Sequence, residues 1–324
     1  MPDSPFRSAL LSKNRQACKE ALSQDLRGTE LVECLNDLLY CSVSVIQTSI
    51  QEMHPVCVIN SIKNLIGDDR ENPSKPLLQF AANYLLGFKF RNDDESILED
   101  AAKDGIGLTG FLGDLEDVCQ LGKWDEVQAI SAKIFLASDR SRGVMDSLAE
   151  IGLQDSNSNV LFIFHLLRAY QFQESKDDNW SFTKCMIDWL NGKILPEPHE
   201  QTEKTPRYII DLMIENRDPT LFASVLRLWD GDYVRIRGFK RELSYWCSQI
   251  LITDSEVKPD ENHWLLNKDK RKFILASEKM VRRKKSKSEK ANALVILEAV
   301  RALSSTATHH QLCILGARLN QLLS

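Results

Sequence analysis

Apolar residues recur in this chain with a period of 3.6 rather than 2, which points to helices packed on one face each. Leu31, Cys34, Leu35, Leu38 and Leu39 step along one helical face, as do Leu78, Ala81, Ala82 and Leu85. The stretch from Leu212 to Leu228 continues the pattern around one break. Val234-Arg235-Ile236 alternates, but three residues are too few for a strand series. Fourteen glycines and ten prolines in 324 residues supply few turns for a sandwich or propeller. The predicted class is all-α: an irregular stack of antiparallel helical hairpins, α-solenoid-like or a multi-helix bundle.

The periodicity predicts helices over 5–12, 15–26, 30–52, 56–66, 76–90, 94–103, 108–121, 124–137, 141–151, 157–173, 179–191, 206–216, 219–229, 238–253, 268–284, 288–304 and 309–323. Start signals support several of them. Thr29 is placed to cap a helix beginning near Glu30, and Asp218-Pro219 pairs a capping acid with proline at the first helical position. Thr308-x-x-Gln311 has the form of a capping box. Leu11-Ser12-Lys13-Asn14 and Leu121-Gly122-Lys123-Trp124 mark similar tight turns, 110 residues apart. A tetratricopeptide array would repeat every ~34 residues, so no repeat family is assigned. Gly105-Ile106-Gly107-Leu108-Thr109-Gly110 has no strand before it and no lysine after it, and is expected to be a turn between helices.

The segment Gly192–Thr205, with Pro196 and Pro198, suggests a division into 1–195 and 196–324, although one continuous helical body is equally compatible. The most apolar windows, Leu38–Ile50 and Val160–Leu167, fall short of the ~20 residues of a membrane span. The first seven residues, Met1-Pro2-Asp3-Ser4-Pro5-Phe6-Arg7, do not resemble a signal peptide. Cys18, Cys34, Cys41, Cys57, Cys119, Cys185, Cys247 and Cys313 are scattered without a C-x-x-C pair. They are expected to be reduced and buried, in a cytoplasmic protein.

Three groups of residues are candidates for chemistry. The first rests on two matching contexts, His54-Pro55-Val56-Cys57 and His310-Gln311-Leu312-Cys313, each with an asparagine ten residues after the histidine (Asn64, Asn320). His54, Cys57, His310 and Cys313 would suit a tetrahedral zinc if they met, but the local spacing of a zinc knuckle is missing, and no metal or other cofactor is expected. The second is His165, set in the apolar run Phe162–Tyr170, where it is expected to be a satisfied core histidine or else to line a cavity. The third is electrostatic. From Lys268 to Lys290 there are eleven Lys or Arg against three acids, a local charge of +8 in a chain of net charge −5. Lys270, Arg271 and Lys272 form one dense block and Arg282, Arg283, Lys284, Lys285 and Lys287 the other, and Phe273, Ala276, Met280 and Val281 fall on the apolar side between them. Such a strip can meet an acidic protein, a phosphate backbone or an anionic surface, or can simply keep the body solvated. The acids at Asp68-Asp69 and Asn92–Asp100 are expected to be solvated helix ends.

Phosphate loops, nucleophile elbows, H-E-x-x-H and dinucleotide fingerprints are all missing from the sequence. The functional expectation is a non-catalytic helical module that binds a protein partner. The alternative is an all-helical redox or lyase enzyme whose pocket is lined by His54, His165 and His310.

Overall fold

The computed structural model describes residues 4–46, 53–103, 112–216, 218–251 and 257–323. In chain order the helices are α1 (Pro5–Leu11), α2 (Arg15–Ala21), α3 (Gly28–Val43), α4 (Pro55–Ile66), α5 (Lys75–Leu85), α6 (Asp94–Lys103), α7 (Leu112–Gln120), α8 (Trp124–Ala137) and α9 (Gly143–Gly152). They continue as α10 (Ser156–Phe172), α11 (Asn179–Leu190), α12 (Ile210–Asn216), α13 (Pro219–Trp229), α14 (Ile236–Ser248), α15 (Lys270–Arg282), α16 (Lys287–Ser304) and α17 (His309–Leu323). The strands among the described residues are β1 (Val45–Ile46) and β2 (Lys89–Phe90), paired antiparallel with Val45 opposite Phe90. The fold is all-α. Among the described residues, no helix is long and apolar enough to cross a membrane.

Most helix starts have a side-chain cap. Ser4, Asn14 and Ser74 each accept from a backbone N–H three residues on. Thr308 and Gln311 form the reciprocal box: the Thr308 N–H donates to Gln311 Oε1 at 2.8 Å, and the Gln311 N–H to Thr308 Oγ1 at 3.3 Å. Asp218 Oδ1 accepts from the Thr220 N–H at 2.7 Å. Thr29 does not cap α3, which begins one residue earlier at Gly28, with φ +51°. α3 and α5 also stop sooner than their periodicity predicts, because Val45–Ile46 and Lys89–Phe90 leave helical geometry to pair with each other. The remainder of the first prediction, 47–52, lies outside the described residues, as does the Gly105–Gly110 turn.

Backbone contacts divide the chain into two units interleaved in sequence. The first comprises 1–90, 209–224 and 251–324. At its centre α4 packs against α3, α5, α15 and α16. Val56, Val58, Ile59, Ile62, Leu65 and Ile66 of α4 are all buried. Each such side chain contributes ~1.5–3 kcal/mol of apolar burial. Where α4 carries polar groups, α16 answers them: Asn64 donates to the buried Glu298 at 2.9 Å, and Arg301 spans Glu298 and Asp68. The second unit comprises 91–208 and 225–250. Here α10 is buried from Val160 to Tyr170 except at Leu161 and Arg168, with α9, α11 and α14 against it. Buried Asn159 is a hub: its amide donates to the Gly152 carbonyl at 2.9 Å, and its Oδ1 accepts from Trp189 and Lys193.

The acids at 92–100 are not uniformly solvated. Arg91 pairs with Asp94 at 3.0 Å and reaches Asp188 and the Ser181 carbonyl, fastening α6 to α11 within the second unit. Burial alone would raise Asp94, but hydrogen bonding and the charge of Arg91 outweigh it and hold the carboxyl below its ordinary value.

Candidate functional site

The histidines and cysteines are placed by helix ends and cores. His54 is the N-cap of α4, buried, its Nδ1 accepting from the Val56 N–H at 3.2 Å. Pro55 puts His54 in extended geometry with ψ 135°, which aims the ring back at the helix start. His165 lies fully buried in α10 beside the Phe164 ring, in the other unit. His310 is exposed in the first turn of α17. Asn64 turns to Glu298, and Asn320 to Asp260 at 3.4 Å. Cys57 and Cys313 are buried, as are the other six cysteines, none of them in a disulfide. Burial pushes the thiols of Cys34, Cys119, Cys185 and Cys247 up to about 12, far from the thiolate form that reacts or binds metal. Among the described residues no three His, Cys, Asp or Glu side chains cluster so as to hold a metal ion.

The basic strip divides between helix and turn. α15 turns Phe273, Ile274, Ser277 and Met280 into the core, while Ala276 and Val281 are half-buried, a face slightly rotated from the predicted one. Lys270, Arg271, Arg282, Arg283 and Lys284 are exposed, and Lys272 and Lys285 are half-buried. Arg283 donates to the Leu323 carbonyl at 3.2 Å, and Arg282 lies 3.5 Å from Glu278. Ser286 and Glu289 close a capping box that starts α16 immediately after the turn.

The first unit opens two recesses on either side of α5. One, of about 540 Å³, lies toward the turn between α15 and α16 and is lined by Phe80, Tyr84, Val281, Arg282, Lys287 and Lys290, among others. The other, of about 400 Å³, lies toward α2, and its lining includes Arg15, Lys19, Leu22 and Leu86. Gln79 and Asn83 line both, so the recesses adjoin along one exposed edge of α5. Among the described residues, no acid lines either recess.

Local sequence explains how the walls are held. Ser74 caps α5 and donates to Glu278 of α15 at 2.7 Å, fixing one end of the groove. At the other end Lys287 donates to the Asn83 carbonyl in the last turn of α5 at 2.8 Å, where a cation is favoured by the helix dipole. The Lys75 ammonium reaches the Ser23 carbonyl after α2 at 3.3 Å. Phe80 and Tyr84 stack along α5, with ring centroids 5.9 Å apart. Lys287 sits below its ordinary value, first because burial disfavours its ammonium and then because Arg15 faces it with like charge.

Of the basic residues singled out from the sequence, Arg282 lines this groove. Lys287 and Lys290, at the end of the same strip, line it too, whereas Arg15 and Lys19 lie outside the strip. Arg15 and Lys19 belong to no dense basic run, and the packing of α2 beside α5 brings them near residue 287. Comparisons with protein families, curated proteins and solved structures found no match to this chain.

Proposed function

We propose that the chain is a non-catalytic helical interaction module that receives a segment of a partner protein along the exposed edge of α5. The observation that supports this most is the pair of adjoining recesses meeting at Gln79 and Asn83. A cleft between packed helices is a common receptor for a peptide or partner helix, and stacked aromatics beside cations suit an amphipathic guest. A reduced, cytoplasmic setting accords with eight buried thiols.

The test is site-specific photocrosslinking in cells. Benzoylphenylalanine replaces Gln79 in one version and exposed Glu261, outside the groove, in another. A discrete adduct at position 79 and none at 261, identified as one recurring protein by mass spectrometry, is the expected result. Equal labelling at both positions, or no adduct at 79, overturns the reading.

A further inference from the structure

Building on that groove, we infer that its occupant is an acidic, extended protein segment carrying one apolar anchor: carboxylates meet Arg15 and Lys19 on one side of α5 and Arg282, Lys287 and Lys290 on the other, while the anchor rests against Phe80. Three features of the groove carry this.

The first is an excess of positive charge. Among the described residues five cations line the two recesses, one of them, Arg282, paired with Glu278, and no acid lines either. Three acids of the elements that frame the groove already accept hydrogen bonds. Glu20 accepts from Gln16, Glu278 from Ser74 and Arg282, and Glu289 closes the cap at Ser286. Arg15 and Lys287 face each other closely enough for their charges to oppose, an arrangement an anion between them would relieve. The Asn83 carbonyl takes one of the three ammonium donors of Lys287, and the others can serve a guest.

The second feature is length. The lining runs along α5 from Pro76 to Leu86, about 15 Å at ~1.5 Å per residue. An extended strand of about five residues covers that span at ~3.3 Å each. The third is the aromatic shelf. Phe80 is half-exposed beside half-buried Val281 and Pro76, giving an apolar step between the charged ends. A nucleic acid is the less favoured guest, because the whole chain is net −5 and a long polyanion meets that field over many Debye lengths. A short peptide meets only the groove.

The experiment uses fluorescence anisotropy on the full chain. The probe is a fluorescein-labelled peptide of about eight residues, glutamates around one central phenylalanine. Controls replace every glutamate with lysine, replace the phenylalanine with alanine, or use a labelled oligouridylate. Saturable binding of the acidic probe is expected, weakening as salt rises. Loss of the phenylalanine should weaken it about five-fold or more. The double variant K19E/K290E should weaken it about ten-fold or more, with an unchanged circular dichroism melt. Lys19 is exposed and Lys290 half-exposed, so the core is spared. No saturable binding, equal binding of the lysine peptide, indifference to K19E/K290E, or tighter binding of oligouridylate overturns the inference. If crosslinking at position 79 still captures one protein while the acidic probe fails, the interaction reading stands and only the acidic guest is lost.

Discussion

Arg301 on α16 lays one guanidinium nitrogen against both carboxylate oxygens of Asp68, at 3.0 and 3.1 Å, just past the end of α4. Both side chains are largely shielded, so the pair is a clamp between two core helices rather than a surface decoration. Asp68→Ala should destabilise the chain by ~1–3 kcal/mol. Arg301→Ala should cost more, because the same guanidinium also reaches Glu298 at 3.4 Å. Urea denaturation of both variants checks the order.

His54 works as a helix cap, so its replacement should be read in stability. His54→Ala removes the acceptor for the Val56 N–H and should cost ~0.5–2 kcal/mol, whereas His54→Asn, itself a good cap, should recover most of it. Thermal melts of the two variants decide this. Equal losses would mean that the ring acts by packing alone.

Gly238 of α14 leaves room for the Glu150 carboxylate to lie on the helix backbone between Arg235, at 2.7 Å, and Arg241, at 3.0 Å. A methyl group there occupies the space of the carboxylate. Gly238→Ala should therefore lose the benefit of a better helix former and destabilise the second unit by ~1–3 kcal/mol. Combining it with Glu150→Gln should cost less than the sum of the single changes, a coupling a double-mutant cycle measures.

Lys193 of the second unit is brought down to about 8 by burial, only partly opposed by Asp155. Its ammonium lies 4.2 Å from the Trp189 ring centroid. A lysine lowered on folding holds fewer protons in the native state than in the unfolded state between about pH 8 and its ordinary value of 10.5. Stability should therefore rise with pH across that window and carry the full penalty below it. Competitive acetylation as a function of pH should give Lys193 a midpoint near 8, against a higher midpoint for exposed Lys19. The same slope of stability with pH in Lys193→Met would assign the effect elsewhere.

The turn cations outside the groove offer a contrast with those lining it. Replacing Arg283 and Lys284 by Gln should change stability by no more than ~1 kcal/mol. It should leave acidic-peptide affinity within about two-fold at 0.15 M salt, where the Debye length is ~8 Å. A loss as large as that of K19E/K290E would show that affinity follows net charge and not groove geometry. Anisotropy titration at two salt concentrations distinguishes the cases.

Helices were legible because their determinants are local. The 124–137, 219–229 and 309–323 predictions coincide with α8, α13 and α17, each set by apolar spacing with turn or cap signals at its ends. The early ends of α3 and α5 were not legible, since Val45 and Phe90 stop their helices by pairing across more than forty residues. His54 could be placed at a helix start from Pro55 alone, but that its Nδ1 serves the backbone is a matter of orientation. The positive strip was visible as composition. The groove was not, because its walls come from residues 15–22, 76–86 and 281–290, and no short window holds more than one wall.

The pairing of α4 with α16 has a consequence for the chain as it leaves the ribosome. The buried helix that centres the first unit is finished at Ile66, yet the surface that covers one of its sides begins at Lys287. At a synthesis rate of about 5–20 residues per second, more than two hundred intervening residues mean a delay of roughly 10–45 s. Through that interval α4 lacks its α16 cover, and a nascent chain arrested before residue 287 should be a strong client for chaperones that recognise bare apolar helices.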